Sequence, residues 1–181
     1  MRKPTGVLAC GIMLLVLPAH KVDAQTLASY GQQIAVAKML RPDLAVLGVM
    51  SSKITDKAAE SLTRAGMGQG VKIVIGRPQS APDVPGLYKT LVQEKKIQML
   101  LLPDADDGMM TEIGFEYLRE LTLGDKVALI VPKEVLVGSG GAVCILTQGG
   151  SIKAIVNFKV ATLLGLTLPA EGDLAVTYIG K

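Results

Sequence analysis

The sequence predicts an α/β fold: a three-layer sandwich around a five-stranded, mostly parallel sheet of the Rossmann or flavodoxin type, with an N-terminal helix. Two observations carry this prediction. Five apolar runs of strand length follow one another along the chain and alternate with segments of helical periodicity. The runs are almost continuous in Val, Ile, Leu and Met, which is typical of strands covered on both faces, as in a parallel sheet.

The strands and helices follow in a regular order. The N-terminal helix is predicted over residues 26–40, where apolar side chains recur at helical spacing until Arg41 and Pro42 end the pattern. The five strands are predicted at residues 44–50, 71–76, 97–102, 127–131 and 142–146. A last short run, residues 174–179, predicts an additional edge strand.

Helices are predicted in the gaps between the strands, over residues 56–65, 83–96, 111–123 and 152–164, with a short turn at residues 133–138. Asp83, followed by Pro85, is typical of a helix start. Residues 111–123 place Ile113, Tyr117 and Leu121 four apart, the spacing of an apolar helical stripe.

Two glycine-rich stretches could be mistaken for phosphate loops. The first, at residues 138–141, precedes a strand and opens no helix, so it is predicted to be a turn. The second, Gly149-Gly150-Ser151, follows a strand but lacks the residues of a phosphate or dinucleotide loop. It is predicted to be a flexible lead into the helix over residues 152–164.

Residues 1–24 have the three-part pattern of a secretory signal peptide. Arg2 and Lys3 precede an apolar run at residues 7–17, and cleavage is predicted after Ala24. The run is roughly half the ~20 residues that a membrane-spanning helix needs, which favours cleavage over a permanent anchor. We therefore expect a periplasmic or secreted protein in which residues 25–181 form a single α/β domain.

Composition excludes several classes of function. The chain has 19 Lys and Arg against 16 Asp and Glu and no Trp, and it has no basic stripe, so a nucleic-acid partner is not expected. Removal of the signal peptide takes away His20 and Cys10 and leaves only Cys144, which an apolar run predicts to be buried. Catalysis by a Ser/His/Asp or Cys/His set and a Cys/His zinc site are then impossible within one chain. We expect no enzyme activity, cofactor or metal.

Ligands of an open parallel sheet bind beyond the carboxyl ends of its strands. The candidate ligand-binding residues there are Ser51, Ser52, Arg77, Asp104, Asp106, Thr147 and Gln148. The serines and Arg77 suit a carboxylate or phosphate, and the aspartates suit an ammonium group. Structural roles stay open for each: a loop before a helix, a solvated turn, or a helix cap and dipole partner.

Four stretches occur in a distinctive order. IAVAKMLRPD at residues 34–43 leads into LAVLG, LVQEKKI at residues 91–97 leads to Leu102-Pro103-Asp104, KVALIVP occupies residues 126–132, and GGAVCILT at residues 140–147 precedes Gly165 and Pro169. Together, over about residues 44–170, they resemble one lobe, the second, of the type 1 periplasmic binding proteins in the ABC-transporter substrate-binding protein family. Members of that family have two such lobes.

The resemblance implies an exported, solute-binding-like protein linked to an ABC transporter. Its ligand would be a small polar molecule, amino-acid-like or of another kind, held at the carboxyl edge of the sheet. The alternative is a non-catalytic protein-interaction module of the envelope, or a homodimer of single lobes. The partners expected are accordingly a small-molecule ligand, an ABC permease or another envelope protein, or a second copy of the chain. A deep pocket would favour ligand binding, and a contiguous apolar patch would favour the interaction module.

Overall fold

The computed structural model describes residues 25–104, 111–169 and 174–180. Strands and helices alternate along most of these residues. In chain order they are β1 Thr26–Leu27, α1 Tyr30–Leu40, β2 Val46–Met50, α2 Asp56–Gly68, β3 Lys72–Gly76, α3 Asp83–Gln93, β4 Met99–Leu101, α4 Glu112–Gly124, β5 Ala128–Val131, α5 Glu134–Gly138, β6 Val143–Gln148, β7 Ser151–Asn157, α6 Phe158–Leu163 and β8 Ala175–Ile179.

The strands of the described residues form one eight-stranded sheet in the order β3-β2-β4-β5-β6-β7-β8, with β1 paired to β6. Neighbours from β3 through to β6 are parallel, as are β7 and β8. Only the β1–β6 and β6–β7 pairs are antiparallel. The predicted α/β sandwich with a mostly parallel sheet is confirmed: the five predicted strands are β2 to β6, and the predicted edge strand is β8.

Helices cover both faces of the sheet. Ile34 of α1, Leu62 of α2 and Ala161 of α6 belong to one apolar cluster, so these three helices share a face. Tyr88 of α3 and Leu118 of α4 belong to the cluster on the other face, together with Val137 of α5. Ile34, Leu62, Leu118 and Val137, moved fully out of water, each stabilise the fold by roughly 1.5–3 kcal/mol.

The predicted helix over residues 152–164 is wrong in its first half. Residues 151–157 form β7, which pairs with β6 so that Gln148 lies opposite Ser151. Ala154 and Val156 pack on one face of the sheet and Ile155 on the other, which is the alternation of a strand. The predicted helical stripe is thus split between the two faces.

Gly149 and Gly150 form the tight turn between β6 and β7, not a lead into a helix. Their φ angles are 56° and 81°, the left-handed values of a two-residue hairpin turn, which glycine adopts without the penalty of a Cβ. Two glycines between two β-branched runs are a hairpin signal. The physical cause of the error is that β7 is buried on both faces and therefore lacks polar alternation.

Asn157 ends β7 and begins α6. Its Oδ1 accepts a hydrogen bond from the backbone N–H of Val160 at 3.1 Å, which caps the helix. Its Nδ2 donates to the carbonyl of Val137 at 2.9 Å and so ties this junction to α5 on the opposite side of the sheet. One side chain thereby stabilises both the change of secondary structure and the packing around it.

The N-terminal helix begins later than predicted. Residues 26–27 pair with β6 as β1, and α1 begins only after Ser29. Ser29 and Gln32 cap it reciprocally: the Ser29 side chain accepts from the Gln32 backbone N–H, and the Gln32 side chain accepts from the Ser29 backbone N–H. The capping box explains why the helix begins at this point.

Helix α4 buries a different stripe from the one that its sequence indicated. Phe115, Leu118 and Thr122 are its buried residues. Ile113 and Tyr117, which were predicted to belong to its apolar stripe, are 81% and 47% exposed. Leu121, the third residue of the predicted stripe, is half-buried and packs against the same core cluster as Phe115 and Leu118, so only Ile113 and Tyr117 of that stripe face outward.

Candidate functional site

The parallel order of the sheet brings the carboxyl ends of β2, β4 and β5 side by side. The strands end at Met50, Leu101 and Val131, respectively. Beyond them, the chain enters α2, α4 and α5, so that polar residues after each strand and the first turns of the helices lie at one edge. Two cavities open at this edge, and Asp104 lines both.

The larger cavity has a volume of ≈ 550 Å³ and lies between α4, α5 and the ends of β4 and β5. Its lining combines apolar and charged side chains: Leu102, Asp104, Glu112, Phe115, Glu116, Arg119, Pro132, Lys133, Val135, Leu136 and Ser139. Leu102, Phe115 and Pro132 are buried and form an apolar floor. A cavity of this size is in the range that binds small molecules.

Charges of both signs lie above this floor. Asp104 is half-buried, whereas Glu112, Glu116 and Lys133 are exposed at the rim. Thr111 positions the two glutamates, because its Oγ1 accepts from the Gly114 backbone N–H at 3.2 Å and so caps α4 at the carboxyl edge. The cavity can therefore offer a carboxylate to an ammonium group and a cation to an anionic group.

Arg119 forms one wall of the cavity and is held from several sides. Its Nη2 lies 3.6 Å from Glu116 Oε1 and 3.7 Å from Glu120 Oε1, and its Nη1 donates to the Ser139 carbonyl at 3.5 Å. Its aliphatic stem lies against Gly140, whose φ is +110°. Its Nε is buried and has no hydrogen-bond partner among the described residues. The contact with Gly140 therefore sets the position of this wall.

The smaller cavity has a volume of ≈ 150 Å³ and lies on the other side of Asp104, against α1 and α2. Ser51, which is only 1% exposed, lines it, and the Ser51 Oγ accepts from the Lys53 backbone N–H at 3.1 Å. Thr55 lines it too and caps α2 by accepting from the Ala58 backbone N–H. Each of these hydroxyl oxygens thus already accepts a hydrogen bond from a nearby backbone N–H.

The structure brings together two of the predicted site residues, Ser51 and Asp104, at the smaller cavity. Ser52 is half-buried directly after Ser51. Asp106 lies outside the described residues.

The other three predicted residues make their described contacts elsewhere. The Arg77 Nη2 lies 2.7 Å from the Asp56 Oδ1 in an exposed ion pair at the start of α2. Thr147 pairs with Thr26 in the β1–β6 ladder, and the Gln148 Oε1 accepts from the Gln25 Nε2 at 3.1 Å.

Sequence reasoning missed the part of the site that α4 supplies. Glu112, Glu116 and Arg119 line the larger cavity at spacings of four and three residues, so they share one helical face. That spacing can be seen in the sequence. Because α4 starts at the carboxyl edge, side chains on this face of its first turns reach the cavity. The candidates predicted from the sequence all come directly after the predicted strands, and none lies on a helix.

The hydrogen-bond donors of the loop after β3 are paired locally, with the first residue of α3. Asp83 accepts hydrogen bonds from the Ser80 hydroxyl at 2.9 Å, the Ser80 backbone N–H at 2.8 Å and the Gln79 backbone N–H at 3.1 Å. These bonds, chiefly the one from the Ser80 hydroxyl, lower the pKa of Asp83 from its ordinary value. This carboxylate orders the loop before α3.

Three further findings concern metal binding, thiol chemistry and membrane spans. Within residues 25–104, 111–169 and 174–180, no three His, Cys, Asp or Glu side chains are close enough to hold a metal ion. Cys144 is buried, as predicted, and burial raises the pKa of its thiol to about 12. Of the helices in the described residues, none is long and apolar enough to cross a membrane.

Comparison by sequence finds no matching protein-family model and no matching curated protein. Comparison by structure finds clear likenesses. An ABC domain from Streptococcus pneumoniae in complex with L-Trp matches with a TM-score of 0.68 and 16% identity, covering 83% of this chain and 60% of that chain.

Two further structures match over similar lengths. A ligand-free, open substrate-binding protein with adhesive properties from Clostridium difficile matches with a TM-score of 0.62 and 15% identity, over 81% of this chain and 59% of that one. A conserved domain protein from Vibrio cholerae matches with a TM-score of 0.63 and 16% identity, over 80% and 57%. This chain thus spans less than two thirds of the length of each.

These likenesses establish the fold: the chain has the architecture found in substrate-binding protein domains. At identities of 15–16% they carry no residue-by-residue correspondence. Function has to be argued from the site itself.

Proposed function

We propose that this protein is a non-catalytic, exported binding protein that holds a small molecule at the carboxyl edge of its sheet. The observation that carries the proposal is the ≈ 550 Å³ cavity beside Asp104, which combines a buried apolar floor with charges of both signs. One of the matched structures is described as a complex with L-Trp and another as a substrate-binding protein. Both descriptions support the same class of function.

The lining of the cavity favours an amino-acid-like or amine-bearing ligand with an apolar portion. The carboxylate of Asp104 lies half-buried beside the apolar floor, where an ion pair is screened less than at the surface. Lys133 at the rim suits an anionic group, and the ring of Phe115 suits an apolar side chain. The ligand would be fixed by a few polar contacts and buried mainly by apolar ones.

The proposal places the protein in the periplasm or outside the cell, delivering its ligand to an ABC permease. Export is supported by the signal-peptide pattern of residues 1–24. The transporter link is supported by the four resembling stretches of sequence. Secretion is tested by detecting the chain, processed after Ala24, in the periplasmic or extracellular fraction.

A thermal-shift screen of the processed protein tests ligand binding directly. Amino acids, amines, carboxylic acids, sugars and nucleosides are compared at equal concentration. A compound present at a hundredfold excess over its Kd stabilises the native state by about 2.7 kcal/mol. For a chain of this size, that free energy corresponds to a Tm increase of about 5–10 °C.

Asp104→Asn and Glu60→Gln make a matched pair of variants, since Glu60 is an exposed carboxylate on α2 that does not line the larger cavity. We expect Asp104→Asn to abolish the shift given by the best amine-bearing compound and Glu60→Gln to preserve it. Absence of any shift across the whole panel would contradict the proposed function. A shift that Asp104→Asn leaves unchanged would contradict the site.

A further inference from the structure

The edge of the sheet opposite the two cavities concentrates basic side chains. The parallel strands β3, β2, β4 and β5 begin there, and helices α1 to α4 end there. The residues of this amino edge are 38–46, 67–72, 94–98 and 124–127. Lys72 begins β3, whereas Lys96 and Lys126 shortly precede the neighbouring strands β4 and β5. Because neighbouring strands are about 5 Å apart, folding brings lysines from separate turns into one row.

The acidic side chains of the amino edge are already engaged. The Asp43 Oδ1 lies 3.6 Å from the Arg41 Nε, and the Glu94 Oε2 lies 4.0 Å from the Lys95 Nζ. Asp125 interacts with the tyrosine hydroxyl of α3. Four lysines of this edge have no ion-pair partner among the described residues: Lys38, Lys72, Lys96 and Lys126. The amino edge therefore has an excess of positive charge that the fold does not neutralise.

Two of these lysines have a backbone conformation that disfavours lysine. Lys96 and Lys126 have φ angles of 57° and 56°, and no other residue besides glycine has a positive φ in the part of the chain that the structure describes. The turn from α2 to β3 has Gly70 instead, at 67°. Glycine adopts this conformation without the penalty of a Cβ. A cation near a helix end is favourable, but the turn itself would be more stable with glycine. Such strain often marks a functional surface.

Two exposed methionines lie beside the row of lysines. Met39, in the last turn of α1, is 39% exposed, and Met67, in the last turn of α2, is 68% exposed. These helix ends meet, because an added Cβ at Gly70 would lie 3.9 Å from the Lys38 Nζ. Apolar side chains next to cations suit the interface of an anionic membrane, where the apolar groups enter the headgroup boundary and the cations meet phosphates. A soluble polyanion would make no use of the methionines.

We propose that the amino edge binds the surface of a membrane that contains anionic phospholipids. Each lysine close to such a surface raises the affinity about fivefold, so several together give a reversible, salt-sensitive attachment. The cavities at the carboxyl edge would then face away from the lipid. This attachment is compatible with the proposed function and does not depend on it.

Co-sedimentation of the processed chain with lipid vesicles tests the proposal. The processed chain is used because the apolar run at residues 7–17 would itself enter lipid. Vesicles of an equal mixture of phosphatidylglycerol and phosphatidylcholine should bind the protein, less so as salt is added, and phosphatidylcholine alone should not bind it. Absence of binding to the mixed vesicles at low salt, or equal binding to both kinds, would overturn the proposal.

A matched pair of double variants tests the lysines. Lys96→Gly with Lys126→Gly removes two charges and relieves both strained turns, so the Tm should stay or rise while vesicle binding falls at least about tenfold. Lys57→Gln with Lys89→Gln removes the same charge from exposed positions in the first turn of α2 and in the middle of α3, and should leave binding unchanged. Equal losses of binding in both, or a lower Tm with unchanged binding in the glycine variant, would overturn the proposal.

The methionines distinguish a lipid surface from a soluble polyanion. Met39→Gln with Met67→Gln should weaken binding to the mixed vesicles at least about fourfold. Ile113→Gln, at an apolar residue that is 81% exposed in the first turn of α4, should leave binding unchanged. Binding to polyglutamate or duplex DNA that is tighter than binding to the vesicles and indifferent to the methionines would overturn the choice of a lipid partner.

Discussion

Substitution of Gly140 by alanine tests how the wall of the larger cavity is built. A Cβ at Gly140 would clash with the Cδ of Arg119, and the backbone there has a φ of +110°, which an L-residue rarely adopts. The backbone strain costs about 1–2 kcal/mol. Arg119 must also move, which disturbs its ion pairs with Glu116 and Glu120, at roughly 0.2–1 kcal/mol each for exposed pairs. We expect Gly140→Ala to lower the free energy of unfolding by about 1.5–4 kcal/mol.

Gly150→Ala is the matched control. Gly150 also has a positive φ, +81°, but an added Cβ would meet nothing within 4 Å, so only the backbone strain remains, about 1–2 kcal/mol. Urea unfolding of both variants and calorimetric titration with the best compound from the screen give the comparison. Gly140→Ala should cost more stability and weaken binding at least about tenfold. Equal costs and unchanged binding in both variants would refute the proposed role of the Arg119 wall.

Three further predictions concern single side chains. Asn157→Ala should lower the free energy of unfolding, measured in urea, by about 2 kcal/mol: roughly 1 for the lost cap of α6 and roughly 1 for the lost hydrogen bond to Val137. Asn157→Asp should keep the cap and lose only the hydrogen bond to Val137. Cys144 should resist thiol reagents until the protein unfolds. Since burial raises its pKa to about 12, stability should fall as pH rises from the ordinary thiol range towards 12, and Cys144→Ala should reduce that slope, to which Tyr88, whose pKa burial also raises, contributes another part. Asp83 should titrate below its ordinary pKa by NMR, so its contribution to stability is present above the unfolded-state pKa and lost as pH falls through the lowered value; Ser80→Ala should move its pKa upward.

Much of the fold is legible in the sequence because a parallel sheet buries both faces of its strands. The runs that became β2 to β6 are nearly continuous in aliphatic residues over strand length, with helices between them. The same property misled the interpretation of residues 151–157. A strand buried on both faces has no polar alternation, and its aliphatic residues also fit a helical stripe when followed directly by α6.

The sequence predicts the edge of the sheet at which the candidate cavity lies, but it does not predict which side chains line that cavity. Sheet topology alone places Ser51 and Asp104 at one edge, because β2 and β4 are parallel neighbours. The contribution of Glu116 and Arg119 depends on how α4 is rotated about its axis. Helix α4 has two sets of apolar residues at helical spacing. The sequence predicts that Ile113 and Tyr117 face the core, whereas the structure buries Phe115 and Leu118. Tertiary packing decided between them.

The most direct test of the account is an NMR titration of the isotope-labelled, processed protein with the best compound from the screen. We predict that the backbone amide shifts change first and most at Leu102, Phe115 and Lys133, which lie directly after β4, in α4 and directly before α5, respectively, and all line the larger cavity. Saturable changes centred instead on α2, or between α3 and α4, would contradict ligand binding at the carboxyl edge.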